Sequence, residues 1–123
     1  MNRLTGKQLL MINQKLTEDN TEDPDLVGRL ESISDFPYEQ DETLFYKYKD
    51  TIAKASKLGC SIARIKPFAK KNNQTAVLAL LTLLSLNRIE LENYDEDIPK
   101  LVSCLEEGNV EQGISWIQAH EAG

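Results

Sequence analysis

The chain has 123 residues, of which 41% are hydrophobic and 28% are charged, and its formal net charge is −6. These values fit one globular domain over residues 1–123, and the acidic balance argues against general nucleic-acid binding, which needs a basic surface. The first residues, MNRLTGKQ, lack the apolar stretch of a signal peptide, and the longest apolar run is too short to span a bilayer. We therefore expect a cytoplasmic location and no membrane partner.

Two helices are predicted in the first third of the chain. Thr5 is a suitable N-cap for a helix that continues to about Glu18, and Asp23-Pro24 is typical of an N-cap followed by Pro at the first helical position. Pro37 disfavours helix at the preceding residue, so residues 34–38 are expected to form a structured loop or a short hairpin. The apolar residues of the two helices recur at helical spacing: Leu9, Ile12, Leu16; Leu26, Leu30, Ile33.

A long helix is predicted next, from about Glu42 to Ile65. Gly59 lies inside it at a cost of about 1 kcal/mol relative to Ala, which favours a close approach of another helix at that point. One continuous apolar stripe supports the prediction: Leu44, Tyr48, Ile52, Ala55, Leu58, Ile62.

The most apolar segment, residues 76–86, is interrupted only by Thr82 and Ser85. Because a helix that is apolar nearly all round must lie in an interior, we predict a buried central helix over about residues 73–87. Asn72 and Asn73 are both suitable N-caps, and Asn87 tolerates a left-handed C-cap.

The chain closes, after a linker over residues 88–94, with two amphipathic helices separated by Gly108-Asn109. Because no segment alternates with period two for long enough to require a sheet, the predicted fold is all-α, with about six helices around the central one. The apolar residues of the last two helices are Ile98, Leu101, Val102, Leu105; Val110, Ile114, Trp116, Ile117.

Three further side chains have chemical potential of their own. Cys60 and Cys104 lie inside apolar helical patterns and are expected to be reduced core thiols. His120 is the single histidine and is expected to be exposed in the C-terminal tail. Because no Cys/His cluster suggests zinc, no metal site is predicted.

The segment before the central helix is basic, since Arg64, Lys66, Lys70 and Lys71 place four positive charges in eight residues. A helix N-terminus directs backbone N–H groups outward and favours an anion. We therefore predict a candidate anion site, and a capped core helix with a solvated lead-in loop remains the alternative. The candidate residues are Lys66, Lys70, Lys71, Asn72, Asn73 and Gln74.

The same segment, KPFAKKNNQTA, resembles the signature loop of the Fic/Doc (death-on-curing) family, His-Pro-Phe-x-Asp-Gly-Asn-Lys-Arg-Thr-Ala. The flanks are similar as well: LT---L--IN--L over residues 4–16, PDLVGRLESI over residues 24–33 and LGCSIA over residues 58–63. The resemblance covers nearly the whole chain in the same order, and it implies a Fic/Doc-like helical bundle in which residues 36–40 cover the site. The signature positions that match are Pro67, Phe68, Asn72, Thr75 and Ala76.

The chemical positions of the signature are replaced. Lys66 stands where the family has its catalytic His, Lys70 where it has an acidic residue, and Asn73 and Gln74 where it has basic residues. Family members transfer a nucleotidyl or phosphoryl group from a nucleoside triphosphate to a protein hydroxyl. A lysine ammonium is protonated at neutral pH and is a poor general base, and Mg²⁺ requires oxygen ligands that Lys70 lacks.

The resemblance therefore implies a degenerate Fic/Doc-like protein without transferase activity, with no catalytic residue and no cofactor, which acts by binding a protein. The Doc branch implies a bacterial or phage setting, a toxin–antitoxin context and an antitoxin-like helix as partner. One alternative is a divergent transferase that uses a nucleoside triphosphate with Mg²⁺ and another base. The second alternative is a purely structural helical domain.

Residues 103–108, SCLEEG, are similar to the inhibitory motif of some Fic proteins, Ser/Thr-x-x-x-Glu-Gly/Asn. In those proteins the Glu pairs with a motif arginine, whose position is occupied here by Val77. We therefore expect no such partner for the Glu, and we interpret the segment as a helix C-terminal cap.

Overall fold

The computed structural model describes residues 2–19, 23–40 and 48–122. Helix α1, Gly6–Thr17, begins at Thr5, whose side chain accepts a hydrogen bond from the N–H of Gln8, and the Gln8 side chain accepts one from the N–H of Thr5. Helix α2, Pro24–Asp35, begins at Asp23 with Pro24 in its first turn. Both predicted N-caps are confirmed, because short polar side chains satisfy the free N–H groups of a first helical turn locally.

Residues 34–38 contain no hairpin. Helix α2 runs to Asp35 and continues directly into a 3-10 turn, Phe36–Tyr38. The turn packs against α3, Thr51–Ile65, and against α2, and it makes no contact with the central helix. The segment expected to cover the signature loop is thus placed along another helix.

The prediction of one continuous helix from about Glu42 to Ile65 is wrong over residues 48–50, which are not helical. The Asp50 side chain accepts a hydrogen bond from the N–H of Ala53 at 2.8 Å and so begins the helix at Thr51. The apolar spacing continues back to Tyr48 without helix, since a side-chain cap ends a helix regardless of periodicity. Leu44 and the predicted helix start lie outside the described residues.

The central helix is α4, Asn72–Leu86. Asn72 is its first residue and not its cap, and Lys71 holds the cap position. At the other end Asn87 has φ −107° and the left-handed residue is Arg88, with φ 64°. The helix boundaries therefore agree with the prediction to within one residue. The capping residues differ from the prediction at both ends, where Lys71 and Arg88 take the left-handed conformation.

The last two helices are α5, Ile98–Glu106, preceded by a 3-10 turn at Asp95–Asp97, and α6, Val110–Ala119. Gly108, at φ +69°, separates them, and the Asn109 side chain caps α6. The tail pairs with the linker, since the N–H of Glu92 donates to the carbonyl of His120 and the N–H of Ala122 to that of Glu90.

The core is centred on the packing of α3 against α4, the most extensive helix contact among the described residues. A Cβ at Gly59 would lie 3.1 Å from Leu105 and 3.2 Å from Leu80, which confirms a close helix approach at that point. Gly113 allows α6 an even closer approach to α3, because a Cβ there would lie 2.1 Å from the Ser56 hydroxyl.

Apolar residues of the loop and of helices α3 to α6 are buried in this core: Ile62, Phe68, Leu80, Leu84, Leu101, Trp116. The described residues form six α-helices and no sheet, which confirms the all-α prediction. None of the described helices is both long enough and apolar enough to cross a membrane.

Candidate functional site

The signature loop joins α3 to α4, and its backbone turns at a lysine at each end. Lys66 has φ 53° and Lys71 has φ 57°, both in the left-handed region. The N–H of Lys66 donates to the carbonyl of Ile62 at 2.9 Å and closes α3. Side chains other than Gly enter this region at a cost of roughly 1–2 kcal/mol, so contacts elsewhere must hold the loop in place.

Asn72 supplies the first of these contacts. Its Oδ1 accepts from the N–H of Phe68 and its Nδ2 donates to the carbonyl of Phe68, both at 2.9 Å. The Phe68 side chain is itself buried in the core. Both hydrogen-bonding groups of the Asn72 amide are therefore used to fold the loop onto the start of α4.

A buried polar network anchors the loop to α1. Asn13 Nδ2 donates to the carbonyl of Lys70 at 2.9 Å and to the hydroxyl of Thr75 at 3.0 Å. The Thr75 hydroxyl donates in turn to the carbonyl of Lys71 at 2.8 Å. Asn13 and Thr75 are both buried, and a buried polar group that loses its partner costs about 1–3 kcal/mol. This network fixes the position of the loop.

The three lysines of the loop are used differently. Lys66 and Lys70 are exposed, and their ammonium groups make no hydrogen bond or ion pair with the residues described. Lys71 Nζ donates to the carbonyl of Leu16 at 2.8 Å, in the last turn of α1. Lys71 therefore satisfies a free helix carbonyl of α1.

Asn73 is bound to helix α5. Its Nδ2 donates to Glu106 Oε1 at 3.0 Å, and its Oδ1 is buried without a hydrogen-bond partner among the described residues. Gln74 is exposed. The Glu106 carboxylate, 3.0 Å from the Asn73 amide in the first turn of α4, opposes anion binding there. The six residues predicted to bind an anion are therefore not all placed to bind the same one.

The resemblance to an inhibitory motif is limited to a helix end. Helix α5 ends at Glu106, and Glu107 is its C-cap, followed by the left-handed Gly108. The guanidinium of Arg64 donates to the carbonyl of Glu107 at 3.0 Å. The helix cap is thus as predicted. The glutamate that contacts the start of α4 is Glu106, which accepts a hydrogen bond from the amide of Asn73.

His120 is not exposed, contrary to expectation: only 13% of its side chain is accessible. Its Nδ1 lies 2.7 Å from the carbonyl of Trp116 and its Nε2 lies 2.8 Å from Asp97 Oδ2. The ring also stacks on Trp116, with the two centroids 4.4 Å apart. The hydrogen bonds to the Trp116 carbonyl and to Asp97 raise the pKa of His120, the Trp116 bond most, and the hydrogen bond from His120 lowers the pKa of Asp97.

The two cysteines are free thiols, as predicted. Burial raises the pKa of Cys60 to about 11 and also raises that of Cys104, which is half-buried. Within the described residues no group of three or more His, Cys, Asp and Glu side chains converges so as to hold a metal ion.

A surface feature that the sequence reasoning missed begins beside Asn73. Helix α4 is not buried all round: Leu78 is 39% exposed, although Leu80, two residues later, is fully buried. Leu78 lies between two adjoining depressions, which we call together the α4–α5 groove. The depression on the loop side is lined by Asn73, Gln74, Val77, Leu78, Ile98 and Val102.

The second depression continues along α4 towards the linker. Its lining includes Leu78, Leu81, Ser85, Glu90, Leu91 and Tyr94. The only sequence signals for the exposed stripe are the polar residues Gln74, Thr82 and Ser85, which recur close to helical spacing around Leu78.

No family model matches the chain, and no curated protein or solved structure matches it either.

Proposed function

We propose that the chain is a degenerate Fic/Doc-like protein that transfers no nucleotidyl or phosphoryl group and acts by binding another protein. The observation that carries the proposal is the use of the side chains at the signature positions. Asn72 binds the Phe68 backbone, Thr75 joins the Asn13 network, and Asn73 is paired with Glu106. These side chains maintain the loop instead of presenting groups to a substrate.

The backbone geometry supports the Fic/Doc part of the proposal. Pro67, Phe68, Asn72, Thr75 and Ala76 match the signature, and two of them, Asn72 and Thr75, hold the loop through hydrogen bonds. Lys71 adopts φ 57° at the position where the signature has Gly, a backbone region that Gly enters most readily. A loop folded by Asn72 and Thr75, with a Gly-like conformation at Lys71, is what the resemblance implies for a degenerate family member.

The chemistry at the remaining positions supports the loss of transfer. Lys66 stands where the signature has the His that acts as general base, and an ammonium group has donors but no lone pair with which to take a proton. The carboxylate of Glu106 next to Asn73 also opposes a triphosphate at the start of α4.

The α4–α5 groove supports a binding role. Helix-binding sites are commonly grooves with apolar recesses between packed helices, and this groove adjoins the signature loop through Asn73 and Gln74. The resemblance to the Doc branch places such a partner in a bacterial or phage toxin–antitoxin context, where an antitoxin-like helix is the expected binder.

The decisive test of the catalytic part is incubation with labelled ATP, CTP, GTP or UTP, Mg²⁺ or Mn²⁺ and cell lysate. We expect no transfer of label to protein. Transfer that is lost in Lys66→Ala would overturn the proposal and support a divergent transferase. The variant Lys66→His/Lys70→Asp/Asn73→Lys/Gln74→Arg restores the signature groups and is expected to recover transfer.

The binding part is tested by photo-crosslinking in the native host cell with a reactive amino acid placed at position 70 or 74, both exposed. A single crosslinked protein in stoichiometric amounts is expected. Absence of any crosslink from either position would support the purely structural alternative.

A further inference from the structure

We propose that the α4–α5 groove is the docking site for a basic amphipathic helix of the partner protein, an inference that rests on the proposed binding function. The shape of the groove favours a helix, and the charge at its ends favours a basic one. Both concern described residues of α4, α5 and the linker.

The groove has two recesses, of which the loop-side one is mostly apolar and the linker-side one combines apolar and polar side chains. Leu78 separates a recess walled by Ile98 and Val102 of α5 from one walled by Leu91 and Tyr94 of the linker. An amphipathic helix inserts apolar side chains at three- and four-residue spacing into such grooves. Two recesses on either side of one exposed leucine fit successive apolar side chains of a helix that lies along α4.

The length of the groove sets the length of the helix. Its floor runs along α4 from Asn73 to Ser85, which at 1.5 Å per residue corresponds to about 18 Å. A partner helix of about 12 residues, roughly three turns, spans that distance.

The charges of the groove select a basic helix. Glu90 lines the linker end, and Glu106 reaches the loop end through its bond to Asn73. Glu106 also follows Ile98 and Val102 at four-residue spacing and so shares their face of α5. No Lys or Arg lines either described depression.

A helix with Lys or Arg flanking its apolar face therefore complements both ends of the groove. An acidic helix meets like charge at both ends. A second copy of this chain is disfavoured as occupant for the same reason, because its net charge is −6 and its own groove carries the same two carboxylates.

The test uses the full chain and a synthetic helical peptide of about 14 residues with leucines at helical spacing and lysines on the flanks. We expect the amide NMR shifts that change on titration to map to Leu78, Leu81, Val102 and Leu91. Leu78→Glu should weaken the peptide's affinity by more than about tenfold. Met11→Glu is the matched control, because Met11 is an exposed apolar residue of α1, 50% accessible, outside the groove.

The charge is tested separately from the shape. Glu90→Gln/Glu106→Gln keeps acceptor oxygens at both positions, so the Asn73 hydrogen bond persists, and it is expected to reduce affinity and its salt dependence. The same peptide with glutamates in place of the lysines should bind at least about tenfold more weakly. Equal binding of the two peptides would overturn the choice of a basic helix.

Shift changes outside the groove, or no binding of the lysine peptide, would overturn the docking site. A concentration-dependent dimer that Leu78→Glu abolishes would also overturn it, in favour of a second copy. These results can be distinguished from failure of the proposed function. Nucleotide transfer, or the absence of any crosslinked partner, would refute the proposed function instead. A partner crosslinked only outside the groove would refute the groove and leave the binding function in place.

Discussion

The side-chain amide of Asn72 closes a ring on the backbone of Phe68, with its oxygen accepting from the N–H and its nitrogen donating to the carbonyl, both at 2.9 Å. This pair turns the chain from the exposed lysines of the loop into the first turn of α4. It also places Phe68 in the core. Together with the Asn13–Thr75 network, the Asn72 side chain therefore sets the shape of the loop.

Asn72→Asp should reveal that dependence. The variant keeps an acceptor for the Phe68 N–H but loses the donor and places a carboxylate next to the Phe68 carbonyl. We expect the free energy of unfolding to fall by about 1–3 kcal/mol. Gln74→Ala, at an exposed site two residues further along α4, should change it by less than about 0.5 kcal/mol. Urea denaturation measures the free energy of unfolding of both variants. Equal losses would show that the Asn72–Phe68 hydrogen bonds do not stabilise the fold.

Leu80→Ala tests the centre of the core. Leu80 is completely buried between α3 and its neighbours and contacts the Gly59 region, so truncation should cost about 2–5 kcal/mol. Leu78→Ala removes the same atoms from an exposed position of the same helix and should cost less than about 1 kcal/mol. Chemical denaturation of both variants is the measurement, and a larger loss at Leu78 would contradict the assignment of the buried face of α4.

The His120 contacts predict a pH-dependent stability. Only the protonated ring can donate from both nitrogens, to the Trp116 carbonyl and to Asp97 Oδ2, and the pKa of His120 is raised accordingly. A histidine whose pKa is raised in the folded state stabilises that state fully at pH values below the unfolded-state pKa of about 6.5. This stabilisation is lost as pH rises through the folded-state pKa. The lowered pKa of Asp97 stabilises the folded state at pH values above the unfolded-state pKa of the carboxyl. This stabilisation is lost as pH falls through its folded-state pKa.

The melting temperature of the parent chain should therefore fall between mildly acidic and mildly alkaline pH relative to that of His120→Gln. NMR titration of the ring should give a pKa above the ordinary value in the parent chain, and Asp97→Asn should lower it. The Trp116 carbonyl bond remains in that variant, so part of the shift should persist. A ring that titrates at its ordinary value would contradict these contacts.

The two thiols should react at different rates. Burial raises the pKa of Cys60 to about 11, while Cys104 is half-buried with a raised pKa of its own. Because the thiolate is the reactive form, we expect a thiol-specific reagent to label Cys104 first and Cys60 only on unfolding. Mass spectrometry of partly labelled protein, with Cys104→Ser as control, assigns the sites. Rapid labelling of Cys60 in Cys104→Ser would contradict its burial.

Inorganic phosphate tests what remains of the predicted anion site. The exposed Lys70 and the first turn of α4 are expected to give a small rise in melting temperature, which Lys70→Glu should abolish. Glu106→Gln should enlarge the rise, because it removes the opposing carboxylate 3.0 Å from Asn73. Lys71→Gln should leave it unchanged, since Lys71 Nζ is bound to the carbonyl of Leu16. A gain that persists in Lys70→Glu would place the anion elsewhere.

Local features of the sequence predicted most of the helices. The Thr5 and Asp23 caps act within their own helical turns, so they are visible in the sequence without knowledge of the fold. The same holds for Gly59, whose missing side chain indicated a close helix approach. The start of α3 was mispredicted because the apolar spacing extends beyond the Asp50 cap to Tyr48.

The candidate site was predictable only in part. The signature resemblance identified the loop residues, but hydrogen bonds from distant segments decide how they are used: Asn13 of α1 holds the loop, and Glu106 of α5 binds Asn73. His120 likewise appeared to be a tail residue, because its partner Asp97 lies 23 positions earlier in the chain. Such pairings have no periodic signal in the sequence.

The sequence by itself determined that the chain forms helices, that residues 76–86 provide the core helix, and that the loop before it resembles the Fic/Doc signature with Lys66, Lys70, Asn73 and Gln74 at its chemical positions. It did so because capping, apolar periodicity and residue chemistry are local properties. Only the tertiary structure decided which face of α4 stays uncovered. An apolar helix presents leucines on several faces, and Leu78 is exposed while Leu80 is buried because the neighbouring helices cover one side of α4 and leave the α4–α5 groove on the other.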